Sequence, residues 1–271
     1  MSTVSRTQPE APAPARPALP RFLPTLAWAS FVANVGIIAT GGAVRLTGSG
    51  LGCPTWPMCT AESLVPTEEM GIHGVIEFGN RTLTGVLGVL AVLVFLLVWR
   101  LRRERRDLFT LAAVVLGGII AQAVIGGITV LTGLNPLIVG FHYVASLVLV
   151  CVAAAFLVRM REVPGPRELV VPRAFAILAH VTSLVLAVTV AVGILTTGAG
   201  PHSGDAAAGR NGFDAVWLSH VHAWPGYILT ALTVALLVWA LGARLRPAPW
   251  LGVQLVIIVV QALVGLYQAR N

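Results

Sequence analysis

Lysine is absent from this 271-residue chain and acidic residues are scarce, so that 18 arginines face 11 Asp and Glu for a net charge of +7. Charged residues reach only 11% of the composition, against about a quarter in ordinary soluble domains, which excludes a soluble fold. A strongly basic soluble protein would suggest an acidic or nucleic-acid partner, but here the arginines cluster between apolar runs, which is a pattern of membrane topology. Cysteine is limited to three residues, and Cys53 and Cys59 have no further ligand types close by, which speaks against a zinc-type site. The opening segment MSTVSRTQPEAPAPARPAL is rich in Pro and Ala and has no apolar core, so it reads as a tail and not as a cleavable signal peptide.

What is abundant is apolar: 56% hydrophobic residues and a mean hydropathy of +0.85. Seven runs meet the roughly 20-residue spanning criterion: about 25–43, 74–99, 108–130, 138–158, 174–195, 215–240 and 249–268. The expected fold is an all-α integral membrane protein. Fourteen of the 18 arginines precede the first run or follow the second, fourth and sixth, so the positive-inside rule predicts a cytoplasmic N-terminus and a multi-pass protein of the cell membrane.

The chain also repeats itself. LTGSG at 46–50 is echoed by TTGAG at 196–200, and AQAVIGG at 121–127 by VQALVGL at 260–266. These echoes predict two four-helix units in tandem: a cytoplasmic tail over 1–22, a first unit over 23–160, a cytoplasmic linker over 161–173 and a second unit over 174–271. An offset of 139 between Gln122 and Gln261 would put a counterpart of His142 near position 281, so the expectation is seven helices of an eight-helix plan.

Ionisable residues inside a bilayer cost about 2.5–3.5 kcal/mol at mid-helix and call for a reason. In HGVIEFGNR, His73, Glu77, Asn80 and Arg81 recur at helical spacing near the start of the second run and point to a common interior space. His142 and His222 lie at matching depths in the fourth and sixth runs, within roughly 6–10 Å of the same membrane boundary at 1.5 Å per residue. Inward imidazoles on facing helices are the usual means of holding a haem iron in a membrane bundle. The plainer alternative is that each histidine hydrogen-bonds a neighbouring helix. That reading is preferred for His180, and His202 reads as a loop residue. His220 and His222 cannot both face inward, and His222 is preferred.

RLTGSGLGCPTWPMC, IEFGNR, the FH of the fourth run, TGAGPHSGD and the HA of the sixth together resemble the haem A synthase family over nearly the whole length from the first run to the last. The resemblance implies oxidation of the C8 methyl group of haem O to a formyl group, giving haem A for terminal oxidases. It also implies a haem b cofactor in one half, here the second, and substrate haem O in the first. Carried over, Glu77 corresponds to the family's catalytic acid, while His142 and His222 correspond to axial ligands of iron. The second-helix histidine of many members is Asn80 here, as in an actinobacterial-type variant, which leaves His73 as the candidate substitute two turns earlier on the same face. Asn80, Arg81 and Arg45 fall to the substrate and cofactor pocket, Arg45 with haem propionates as its expected partners. Pathway logic adds the farnesyltransferase that makes haem O, and an electron donor, as partners.

For Glu77 the structural alternative is an ion pair with Arg81, and for Arg45 it is snorkelling to the interface. An alternative function is a di-haem b-type membrane electron-transfer protein without haem-modifying activity. A transporter is a third, disfavoured because the polar residues gather near one face and not at the midplane. Topology puts the 41–59 stretch on the extracytoplasmic side, where oxidation is permitted. Cys53 and Cys59 are therefore placed to form a disulfide or redox-active pair, with free thiols as the alternative. Cys151 lies too deep to join them.

Overall fold

The computed structural model describes residues 19–270 apart from 164, 166, 167 and 202, with backbone alone at 269 and 270. His202 and most of the proposed tail thus lie outside the described residues. Among the described residues seven α-helices carry the chain: α1 (Leu23–Leu46), α2 (Gly71–Trp99), α3 (Arg106–Leu131), α4 (Pro136–Arg161), α5 (Arg173–Ala199), α6 (Ala215–Gly242) and α7 (Ala248–Arg270). There is no strand among the described residues. All seven are long and apolar enough to cross a membrane, so the protein is a multi-pass helical membrane protein, and each expected span falls inside its helix.

The helices form because lipid offers no partner for a bare peptide group, and only the helix satisfies every N–H and C=O within one segment. Where the sequence carries hydroxyls, they fold back on their own helix: Thr182 donates to the Leu178 carbonyl at 2.8 Å and Thr189 to Val185 at 2.8 Å. Starts and stops follow local chemistry. Asp214 caps α6 by accepting from the Trp217 N–H at 2.6 Å, and α4 opens on Pro136, whose missing N–H costs nothing in a first turn. Leu134 adopts φ +58° after Gly133 at φ +63°, closing α3 with a Leu134 N–H bond to Thr129 at 2.8 Å. Helix α2 has 29 residues and measures about 43 Å, longer than the roughly 30 Å hydrocarbon core.

The two repeat echoes do not behave alike. After LTGSG begins, Gly48 turns to φ +64° and α1 stops at Leu46. TTGA instead continues α5 to Ala199, with Gly198 buried where a Cβ would meet Pro136 at 3.0 Å and Asn211 at 3.1 Å.

Packing groups the residues into two compact units. One takes in the described residues within 19–38, 82–123 and 145–165. Its core joins Leu23, Val98, Leu108 and Phe156, one from each of α1 to α4. Arg105 is buried there, donating to both Asp107 oxygens at 3.0 Å and to the Arg159 carbonyl at 2.5 Å. Small residues let helices approach, as at Gly118, where Leu149 fills the place of a side chain, and van der Waals fit of this kind is what holds helices together in lipid. The other unit comprises the described residues within 39–81, 124–144 and 168–270. In it α6 packs between α5 and α7, around Phe175, Leu236, Ala240 and Leu251.

Candidate functional site

Glu77 sits in the second turn of α2 with only 5% of its surface exposed. One carboxylate oxygen accepts the backbone N–H of Cys53. The other accepts from Arg81, one turn on, through Nε at 3.0 Å and through Nη2. The remaining Arg81 donors leave the helix altogether: Nη2 to the Cys53 carbonyl at 2.8 Å, and Nη1 to the carbonyls of Thr55 at 2.8 Å and Met58 at 3.3 Å. The ion pair named above as the alternative to a catalytic acid is therefore present, and it anchors the 53–59 loop. Removing one partner of such a buried pair typically costs about 3–5 kcal/mol.

The loop is shaped to receive this grip. Cys53 and Cys59 are wholly buried, their Cα atoms 4.5 Å apart at disulfide-bonding distance. Thr55 donates its hydroxyl to the Met58 carbonyl at 2.7 Å, and the Trp56–Pro57 peptide is cis. Gly52 lies so close to the start of α2 that a side chain would run into the His73 carbonyl. Ser49, also fully buried, binds His73 Nδ1 at 2.9 Å and the Thr47 hydroxyl at 2.8 Å. Trp56 reaches α3, where its indole occupies the space beside Gly127 that a Cβ would need.

The adjacent glycine serves a histidine. His142, half-buried on α4, lies against Gly126 with its Cε1 3.3 Å from the position of a Cβ. His222 on α6 repeats the arrangement against Gly193 of α5, at 2.9 Å. Its Nδ1 is buried with no hydrogen-bond partner. His220 is exposed and binds the Val216 carbonyl at 2.8 Å, and His180 is exposed as well. Asn80 accepts from the Thr40 hydroxyl at 2.7 Å. Arg45 is half-buried in the last turn of α1, within electrostatic reach of Tyr143 on α4. Cys151 on α4 is a free cysteine.

The geometry thus assembles Glu77, Arg81 and the 53–59 loop into one cluster and seats two imidazoles on glycines. Among the described residues no three His, Cys, Asp or Glu side chains converge as a bare-ion site. What sequence reasoning missed is the second use of Arg81 and the glycine seats. The Gly126–Gly127 pair inside an apolar helix was a signal for the latter, since adjacent small residues in a membrane helix mark close approach.

The loop connecting α5 to α6 carries no cysteine. Arg210 organises it by donating to the Ser203 hydroxyl and to the carbonyls of Ala208 at 2.5 Å and Pro201 at 3.2 Å. Asn211 donates its amide to the Leu195 carbonyl at 2.7 Å. The Gly50 N–H bonds the Gly204 carbonyl at 2.8 Å, so the two loops meet.

Two imidazoles seated on glycines and a buried acid tied to a cysteine loop, in a chain of membrane-spanning helices, define the class: a multi-pass helical membrane protein with a polar site at its helix ends. The model of the COX15-CtaA family, cytochrome oxidase assembly proteins, matches residues 24–201. The chain belongs to that family, the haem A synthase family. Curated relatives named heme A synthase from Bacillus mycoides (strain KBAB4) and Bacillus cereus (strain AH187) are each 32% identical over 129 residues, covering 47% of this chain and 41% of the relative. The chain therefore matches about two fifths of the length of those relatives. No solved structure matches it.

Proposed function

We propose that the chain acts as a haem A synthase, oxidising the C8 methyl group of haem O to a formyl group. The observation that carries this reading is Glu77: a carboxylate buried near the start of α2, held by Cys53 and Arg81, in a chain of the COX15-CtaA family whose curated relatives bear that name. Methyl oxidation removes protons as well as electrons, and a positioned carboxylate oxygen is a suitable acceptor for them.

The described residues fit a haem. His222 offers a buried ring nitrogen that no protein group uses, and it and His142 each occupy the space beside a glycine that a bulkier side chain would need. One imidazole suffices for an iron whose equatorial ligands come from a porphyrin. His142 would hold substrate haem O, and His222 would hold a haem b cofactor. His73 would serve as a second imidazole only through Nε2, since Nδ1 is engaged by Ser49. Asn80 would line the first pocket, and Arg45 would meet propionates. At His222 a bound haem would supply electron transfer. Haem O would arrive from the farnesyltransferase that makes it, and electrons from a separate donor.

The arginine clusters support a cytoplasmic N-terminus in the cell membrane; the 53–59 loop would then face the oxidising side, where a Cys53–Cys59 disulfide would persist. The test is pigment extraction. Expressed with haem O in a host that makes no haem A, the native chain should yield haem A by chromatography and pyridine haemochrome, whereas haem O recovered unchanged would refute the synthase reading.

A further inference from the structure

We propose that Arg81 is a positioning residue: it clamps the 53–59 loop shut over Glu77 and so sets how hard the Cys53–Cys59 disulfide is to reduce. A guanidinium has five N–H donors. All five are used here, three on the carbonyls of Cys53, Thr55 and Met58 and two on Glu77. No donor is left for a ligand carboxylate, so Arg81 acts through the loop and not on a haem propionate.

The three carbonyls all belong to the ring that a Cys53–Cys59 bond closes, and the same Cys53 whose carbonyl binds Arg81 gives its N–H to Glu77. Clamp, acid and cysteine pair are thus one hydrogen-bonded unit. Opening the pair breaks one S–S bond, takes up two electrons and two protons and leaves two thiols. The freed ring then gains conformational entropy only to the extent that Arg81 lets go. A clamp that favours the closed ring therefore favours the disulfide. The catalytic consequence, a Glu77 held in place by the loop, rests on the synthase reading, but the redox consequence does not.

The experiment uses the full chain in detergent, equilibrated with mixtures of reduced and oxidised dithiothreitol, the donor whose two thiols become its cyclic disulfide. Thiols are then counted by the gel shift of a maleimide-polyethylene glycol label, with Cys151 adding one constant step. Arg81→Ala should become half-reduced at a reduced-to-oxidised ratio at least tenfold lower than the native chain, equivalent to about 30 mV. Arg81→Lys keeps the charge beside Glu77 but has a single nitrogen, and it should shift nearly as far. Arg102→Ala, whose side chain binds the Trp99 carbonyl at 3.0 Å and lies over the Trp99 ring, should not shift. Hydrogen exchange over 47–59 gives a second readout in the lysine variant, expected at least tenfold faster, should the alanine variant not fold. A lysine variant matching the native chain in both readouts, or an alanine variant within twofold of native, overturns the proposal. Conversion of haem O is not read, so a chain that made no haem A would end the synthase reading and leave this measurement standing.

Discussion

The loops that follow α1 and α5 occupy equivalent places in the repeat and are held by opposite means. In the α1–α2 loop the fastening comes from below: Arg81, on the next helix, reaches back to three loop carbonyls and shares Glu77 with the Cys53 N–H. In the α5–α6 loop the arginine belongs to the loop itself, and Arg210 closes it on Ser203, Ala208 and Pro201. The first design couples loop to helix, so any change in the loop is felt at a buried acid. The second leaves α6 with an ordinary Asp214 cap. A chemical role for Glu77 and a structural one are therefore compatible, since the groups that keep it in place are the ones a cysteine-bearing loop can move.

The contrast can be broken most severely at Glu77. Glu77→Gln keeps the shape and removes the acid, and haem A yield should fall by about 100-fold or more, the low end for loss of a general acid or base. Pigment extraction checks it, and full yield would end the catalytic role. Next come the glycine seats. Gly193→Ala should destabilise the chain by about 1–3 kcal/mol as the methyl group presses on His222, and Gly126→Ala should cost less, because the contact to His142 is the looser of the two. Melting in detergent measures both, and the reverse order would contradict the packing. Opening the disulfide with Cys53→Ser and Cys59→Ser together should cost about 2 kcal/mol by loop-closure entropy, read as the difference from the native chain in the same melts. The mildest change is Arg210→Ala, which removes hydrogen bonds from an exposed loop residue. It should lower stability by about 1 kcal/mol or less and leave the reducibility of Cys53–Cys59 unchanged. A shift there would mean that the Gly50–Gly204 link carries the clamp between the loops.

Much of this was legible in the sequence, and the reason differs by feature. All seven spans were readable because a run of Val, Leu, Ile and Ala in lipid has only the helix open to it. Glu77 and Arg81 stood out because charge is costly there. His142 and His222 stood out by their matched depth. The clamp was not readable, because Arg81 lies 23 to 28 positions from the loop carbonyls it binds and helical periodicity has nothing to say across such a gap. Nor could the repeat echo foretell that Gly48 ends α1 whereas Gly198 stays inside α5. The same small residue turns the chain in one place and admits Pro136 and Asn211 in the other.

The sequence by itself determined which segments enter the membrane, where the arginines gather and which few polar residues must find a purpose inside it, since each of these follows from the cost of taking a group out of water. Only the tertiary structure decided what that purpose is. Whether Glu77 faces Arg81 alone or also Cys53, and whether Trp56 and His142 share the Gly126–Gly127 step, depends on backbones approaching closely across helices. That approach is set by packing between residues far apart in the chain.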